Sequence, residues 1–173
     1  MDSGNAAAEE IIRLLGLRPL EPEGGFYAET YRSPEALPAE MGGVRCLATA
    51  ILYLLEEGRH SRMHRLASDE IFHHYLGDPV EMLLLHPDGT GRTCLLGKDL
   101  LSGQRQQFLV PRGIWQGARV VPGGTFALLG TTVSPGFDPA DYEHGDCDLL
   151  SEKYPAFRSL IRLLSESGDS EPR

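Results

Sequence analysis

The sequence predicts an all-β domain, a sandwich or barrel of antiparallel strands, with a short helix at each end. Short apolar or alternating runs recur at intervals of about ten residues, and Gly and Pro separate them. Helical periodicity is confined to the two ends of the chain. Because strands do not alternate with helices, a doubly wound parallel sheet is not expected.

The two terminal helices are predicted from apolar residues at helical spacing. The first covers residues 6–15, with Asn5 as its N-cap and Gly16 as its stop signal. The second covers residues 149–164 as one continuous helix. The chain is therefore assigned to three parts: an N-terminal helical segment at 1–16, the β domain at 17–164 and a disordered tail at 165–173.

Nine strands are predicted between these helices from apolar or alternating runs bounded by turn residues. They cover residues 25–32, 44–55, 62–66, 70–76, 80–85, 93–96, 106–110, 114–121 and 126–133. In the first of them, alternation places Tyr27, Glu29 and Tyr31 on one face of the strand.

The composition is that of a globular protein in the cytoplasm. The 173 residues fit one domain, and hydrophobic residues make up 41% of them. The net charge of -9 argues against nucleic-acid binding, which needs a basic face. The longest apolar run, residues 46–55, is shorter than the roughly 20 residues of a membrane span. Three widely spaced cysteines and an acidic N-terminus without a secretory pattern indicate reduced thiols in the cytoplasm.

The stretch from Gly58 to Gly77 concentrates polar side chains in a region that otherwise predicts strands. It holds four of the six histidines, three arginines and the adjacent acids Asp69 and Glu70. Burying so many polar groups costs free energy unless they are paired or used. We therefore expect them to line a pocket.

Strand alternation orders the second half of this stretch. If Glu70 faces the pocket, Phe72 and His74 face it too, and His73 faces outward. His74 is thus a candidate for ligand binding.

Several segments of the sequence resemble the cupin superfamily. The first cupin motif ends in Glu followed seven residues later by Gly, which matches Glu70 and Gly77. The second motif resembles the segment 111–116, with Gln116 at the place of its final histidine. The flanking segments resemble more closely a small cupin family long catalogued as a domain of unknown function. These segments are 23–32, 61–65, 68–70, 110–116 and 134–137, and the similarity covers roughly residues 14–164.

The resemblance implies a double-stranded β-helix, the cupin jelly roll, and a protein that is usually a homodimer. It also implies a ligand pocket in the mouth of the barrel. A further likeness is to the epimerases that act without metal on nucleotide-linked deoxysugars. In those enzymes a histidine with an acidic partner removes a proton next to a keto group, and a tyrosine returns one.

Proton transfer without metal is therefore one hypothesis, with His64 and Glu70 as the catalytic residues. The unperturbed pKa of a histidine is about 6.5, which suits a general base, and a nearby carboxylate would orient the ring. The acidic partner of His64 is Glu70, Asp69 or Asp138, and the tyrosine that returns the proton is Tyr27 or Tyr75.

A metal centre is the alternative hypothesis. His60 and His64 would share a face of one regular strand because they are four residues apart, and Glu70 could complete a triad of ligands. Metal-binding cupins space their histidines two apart, however, and Gln116 offers only a neutral amide as the fourth ligand. We therefore favour no cofactor and keep a divalent metal as the alternative.

The ligand itself is expected to be a small polar molecule, with a nucleotide sugar among the candidates. The predicted binding residues are Tyr27, Glu29, Arg32, Ser61, Arg65, Phe72, His74 and Gln116. Arginine binds phosphate and carboxylate through paired hydrogen bonds, so Arg32, Arg62 and Arg65 are candidates to hold an anionic tail such as a diphosphate.

Three functions remain open from the sequence. The first is an epimerase or isomerase of a sugar nucleotide or related keto sugar, with His64 as general base. The second is a binding protein for a nucleotide or sugar that performs no chemistry. The third is a metal-dependent oxygenase or decarboxylase that uses His60, His64 and Glu70. We favour the first by a narrow margin over the second.

Overall fold

Two antiparallel sheets face each other in the part of the chain that the computed structural model describes, residues 3–38, 40 and 45–166. Eleven strands of these residues form the sheets. They are β1 (Arg18–Pro19), β2 (Phe26–Arg32), β3 (Thr49–Glu56), β4 (Ser61–Arg65), β5 (Asp69–Gly77), β6 (Val80–Leu85), β7 (Gly91–Leu96), β8 (Gln107–Val110), β9 (Trp115–Val120), β10 (Phe126–Ser134) and β11 (Glu143–His144).

From β3 onward the chain passes back and forth between the two sheets, with only β6 and β7 following each other in one sheet. One sheet has the order β1-β2-β3-β10-β5-β8, and the other has the order β11-β4-β9-β6-β7. Every pairing between these strands is antiparallel. The predicted all-β jelly roll with terminal helices is confirmed.

Apolar clusters lie between the sheets and on part of the outer face of each sheet. Between the sheets lies the main core, which includes Tyr53, Phe72 and Phe108. Helix α1 (Ser3–Leu15) covers the outer face of the six-stranded sheet, where Ile11 and Ile12 pack against β3 and β10. Helices α2 (Cys147–Lys153) and α3 (Arg158–Leu163) cover the outer face of the five-stranded sheet. Burial of this apolar surface drives the layers together.

The predicted helices differ from the structure in their bounds. Asn5 lies inside α1, which begins at Ser3, so its prediction as N-cap is wrong. Gly16 follows α1 with a φ of 62°, as expected for a stop signal. The single helix predicted at 149–164 is also wrong. Pro155 begins a 3₁₀ turn between α2 and α3, because proline has no N–H to continue the first helix.

Most predicted strands are confirmed to within two residues at each end. The exception is the strand predicted at 44–55, because β3 begins only at Thr49 and residue 44 lies outside the described residues. Of the tail predicted at 165–173, only 165 and 166 are described. Their backbone N–H groups donate to the carbonyl of Arg162 and so follow directly from α3.

The pairing of the described strands shifts in register at three places, and two of these β-bulges, in β2 and β4, determine which polar side chains face the space between the sheets. In β2 the pairing with β3 shifts between Glu29 and Tyr31, which leaves Thr30 as an extra residue. In β4 the pairing with β9 shifts between Ser61 and His64. Each bulge reverses the alternation of faces beyond it, so residues three apart come to lie on the same inner face.

Candidate functional site

A cavity of about 260 Å³ opens on the inner face of the six-stranded sheet. Its polar wall consists of Arg18, Glu23, Tyr27, Glu29, Arg32, Thr49, Glu70 and Thr131. Its apolar wall includes Leu20, Ile51, Leu66, Val133 and Phe137. Four of the residues predicted from the sequence, Tyr27, Glu29, Arg32 and Glu70, therefore lie around one cavity.

Glu70 is the most buried charged residue of this wall. It points inward from β5 and is 7% exposed, and its Oε2 accepts a hydrogen bond of 2.7 Å from the amide Nε2 of Gln116. Burial, together with the negative charge of Glu23, raises the pKa of Glu70 from 4.5 to about 7. The nearby His64 and hydrogen bonds from Gln116 and Thr131 act in the opposite direction. This carboxyl group can therefore gain or lose a proton near neutral pH.

Gln116 connects Glu70 to His64. Its amide Nε2 lies 3.3 Å from Nε2 of His64, and the side chain is 1% exposed. The carbonyl oxygen of Arg62 lies 2.7 Å from Nδ1 of the same histidine. Because a carbonyl can only accept, Nδ1 carries a proton and Nε2 is free to accept from the amide.

His64 itself is enclosed. It is 1% exposed, its ring stacks on Tyr142 at a centroid distance of 5.3 Å, and it is not part of the cavity wall. The imidazole predicted as the general base thus lies behind the amide of Gln116. It orients that amide and through it the carboxyl group of Glu70.

Glu23 is a second carboxyl group of the cavity, and the predicted site residues did not include it. Its Oε1 accepts a hydrogen bond of 2.9 Å from the hydroxyl of Ser61, and its Oε2 lies 3.9 Å from Nε2 of His64. The two glycines that follow it have φ angles of 108° and 72°, which bend the chain back so that this side chain reaches the cavity. The adjacent glycines at 24 and 25 are a turn signal before β2 in the sequence, but the direction of the Glu23 side chain cannot be read from them.

The bulge in β2 assembles the rim of the cavity. Glu29 pairs with Ile51 and Arg32 pairs with Thr49, so both face inward although they are three residues apart. Arg32 donates to both carboxylate oxygens of Glu29, at 3.0 and 2.7 Å. The same bulge turns Tyr31 to the outer face, where it is 51% exposed, so its predicted place beside Tyr27 and Glu29 is wrong.

Five predicted binding residues are not part of the cavity wall. Ser61 and Gln116 are buried and donate hydrogen bonds to Glu23 and Glu70. Arg65 lies on the outer face of β4, where it pairs with Glu143 and covers the ring of Trp115 at 4.5 Å. Phe72 faces inward as predicted but belongs to the apolar core. His74 also faces inward, yet its Nε2 lies 2.9 Å from the carbonyl of Asp78 and it is not part of the cavity wall.

The alternative acids and tyrosine from the sequence also have other roles. Tyr75 is 54% exposed and stacks beside His73 on the outer face. Asp69 accepts a hydrogen bond from the backbone N–H of Arg112. Asp138 caps the 3₁₀ turn that follows it. Neither these two candidate partners of His64 nor Tyr75, the candidate acid, lines the cavity.

The residues at the expected metal position do not form a set of metal ligands. Ser61 faces inward because it reaches Glu23, so His60 just before it faces outward, where burial and Arg119 lower its pKa. The bulge between Ser61 and His64 therefore separates the two histidines that one regular strand would align. Among the described residues, no group of three or more His, Cys, Asp or Glu side chains is arranged to hold a metal ion.

No helix within the described residues has both the length and the apolar character to cross a membrane. Cys46, Cys94 and Cys147 form no disulfide in the described part of the chain.

Comparisons with known proteins agree with the fold. The family described as Cupin_5, Cupin superfamily (DUF985), matches residues 9–145. The uncharacterized protein YML079W of Saccharomyces cerevisiae is 29% identical over 133 residues, and the match covers 69% of this chain and 66% of that protein, slightly less than two thirds of its length.

Two solved structures are similar over nearly the whole chain. Protein SO0799 from Shewanella oneidensis has a TM-score of 0.84 and 36% identity, covering 92% of this chain and 98% of its own. A hypothetical protein from Leishmania major has a TM-score of 0.83 and 32% identity, covering 92% and 99% of the two chains.

Proposed function

This chain belongs to the Cupin_5 family of the cupin superfamily, and we propose that it binds a small carbonyl compound in its cavity and moves a proton on it through Glu70. The observation that supports this most strongly is the position of the Glu70 carboxyl group. This group is buried and forms part of the cavity wall. It accepts a hydrogen bond from the amide of Gln116, which the imidazole of His64 orients.

The size of the cavity favours a small ligand. Pockets for drug-sized molecules measure about 300–1,000 Å³, and this cavity has about 260 Å³. A complete nucleotide sugar contains a base, two sugars and two phosphates, which need more room. We therefore propose a keto sugar or a similarly small carbonyl compound as the ligand, and not a whole nucleotide sugar.

The proposed chemistry is that of an isomerase or epimerase. In its ionised form Glu70 takes a proton from the carbon next to the carbonyl group. The electron pair of that C–H bond forms the enolate double bond, and the carbonyl π pair moves to the oxygen. The carboxyl group, now protonated, returns the proton to carbon. A general base works best when its pKa lies near the working pH, which the pKa of about 7 satisfies.

The test is exchange of ligand protons with D₂O, followed by NMR. A thermal-shift screen of small keto sugars and keto acids first identifies a compound that stabilises the folded protein. We expect the wild type to catalyse exchange at the carbon beside its carbonyl. Glu70→Gln should slow this exchange by at least about 100-fold, since general base catalysis contributes roughly that much.

The matched control is Glu81→Gln. Glu81 pairs with Arg119 and is not part of the cavity wall, so this variant should exchange ligand protons like the wild type. Saturable binding without exchange in the wild type would contradict the proposed chemistry and would favour a binding protein that performs none.

A further inference from the structure

We infer that the carbonyl compound also carries a carboxylate, which Arg18 binds at the mouth of the cavity while the carbon next to the carbonyl group faces Glu70. This inference rests on the proposed use of the cavity and names the class of its ligand. That class is a short 2-oxo monocarboxylic acid with an apolar chain.

The two guanidinium groups of the cavity wall differ in their partners. Arg32 uses its Nε and Nη2 for the carboxylate of Glu29, and its Nη1 lies 3.3 Å from the carbonyl of Phe137. Its positive charge is therefore matched within the wall and its donors are occupied. Arg32 is better suited to shape the rim than to capture an anion.

Arg18 has no such carboxylate. Among the described residues, none forms an ion pair with it, and its one side-chain hydrogen bond is a 2.9 Å bond from Nη2 to the hydroxyl of Tyr27. The guanidinium also lies 4.9 Å from the centre of the Tyr27 ring. Since a guanidinium has five N–H donors, the tyrosine holds the group in place and leaves donors for a ligand.

The remaining charges of the wall limit the anion to a single charge. Glu23, Glu29 and Glu70 also line the cavity, so a doubly charged phosphate would be repelled more strongly than a carboxylate. A carboxylate matches the guanidinium through two parallel hydrogen bonds.

The apolar wall suits the hydrocarbon chain of such an acid. Leu20, Ile51, Val133 and Phe137 line the same cavity as Arg18 and Glu70. In a 2-oxo acid the chain begins at the reactive carbon next to the carbonyl group, and it would bury its surface against these side chains, which favours binding. A fully hydroxylated sugar would leave polar groups against these side chains without hydrogen-bond partners.

Binding of 2-oxobutanoate and of its methyl ester, measured by calorimetry, tests the inference. We expect the wild type to bind the acid at least about tenfold more tightly than the ester, because the ester lacks the charge that Arg18 recognises. Arg18→Gln should weaken binding of the acid by a similar factor and leave binding of the ester unchanged. Arg13→Gln, which removes a charge on the outer surface of α1, should behave like the wild type.

Proton exchange distinguishes this inference from the proposed function. Arg18-dependent binding of 2-oxobutanoate without exchange at its third carbon supports the inference and contradicts proton transfer. The opposite result is exchange of protons on neutral keto compounds that Glu70→Gln abolishes and Arg18→Gln leaves unchanged. That result contradicts the inference and supports proton transfer. Equal affinities of the acid and the ester, or a Kd of the acid weaker than about 10 mM, would also overturn the inference.

Discussion

Glu70 is a carboxyl group whose ionisation depends on the folded structure. In the unfolded chain it has the ordinary glutamate pKa of 4.5, and in the fold burial and the charge of Glu23 raise the pKa to about 7. The sequence predicted that it lines a pocket, because the stretch 58–77 concentrates polar side chains that are costly to bury unused. Its proton affinity could not be predicted, because Glu23 comes near it only through tertiary structure.

This difference in pKa makes the free energy of unfolding depend on pH. Because the folded state holds the proton up to about pH 7 and the unfolded chain loses it near 4.5, folding binds a proton between these values. The stabilisation is complete below pH 4.5 and is lost as the pH rises through 7. The total loss should be about 3 kcal/mol.

Glu70→Gln should remove this pH dependence, since glutamine stays neutral and its carbonyl can still accept from Gln116. Urea unfolding across the range from pH 4.5 to 8 measures it. The variant should gain stability relative to the wild type as the pH rises. If the two curves stayed parallel over this range, the raised pKa of Glu70 would be disproved.

Gln116 was recognised in the sequence as a departure from the cupin pattern, and the structure shows what the amide does. It donates to Glu70 and contacts His64, so it occupies the space between two potential metal ligands. A histidine at this place would offer one lone pair to a metal. An amide instead offers N–H donors to a carboxylate.

At the scale of the elements, strand alternation predicted faces correctly where the strands are regular. In β5, Glu70, Phe72 and His74 face inward as expected. The prediction was wrong for Tyr31 and for the pairing of His60 with His64, and both errors lie next to bulges. Sequence periodicity could not predict the bulge in β4, because the bulge depends on hydrogen bonds to distant parts of the chain. Its backbone N–H groups donate to the carbonyls of Glu23 and Leu164.

The glycine turn before β2 is the element that brings Glu23 to the cavity. Gly24 has a φ of 108°, and a Cβ there would collide with the carbonyl oxygen of His60. Gly58 has a φ of 78° but open space around it. Alanine substitutions at the two sites therefore distinguish the free energy lost to a left-handed backbone from the free energy lost to a steric clash.

Gly24→Ala should destabilise the protein by more than Gly58→Ala. The left-handed conformation alone costs about 1–2 kcal/mol for a residue with a Cβ, and only Gly24→Ala adds a clash with backbone. Thermal and urea unfolding of both variants measure the difference. Equal losses would mean that the turn is not packed against the carbonyl of His60.

At the scale of the whole molecule, the sequence was sufficient to predict the architecture, but it was not sufficient to predict how the site residues are arranged. Strand periodicity and turn residues predicted the all-β fold, and the cupin-like segments predicted its topology. The division of the C-terminal helix at Pro155 was missed, although a proline inside a helical pattern is a signal for a helix end. The place of Glu23 and the enclosure of His64 depend on contacts between distant parts of the chain, so they could not be read from local pattern.

The whole arrangement gives one cavity with a carboxyl group at its inner side and a guanidinium at its mouth. The β2 bulge, the glycine turn and the inward face of β5 each contribute one part of this wall. The two bulges and the turn are therefore as important for the proposed function as the charged residues that they position.

The central claim is that Glu70 faces the cavity as a carboxyl group that exchanges its proton near neutral pH. A ¹³C NMR titration of its carboxyl carbon, in protein labelled at glutamate and assigned with Glu70→Gln, tests this claim most directly. We predict a midpoint near pH 7, and a lower midpoint in Glu23→Gln because the neighbouring negative charge is removed. A midpoint near the ordinary value of 4.5 in the wild type would contradict the account.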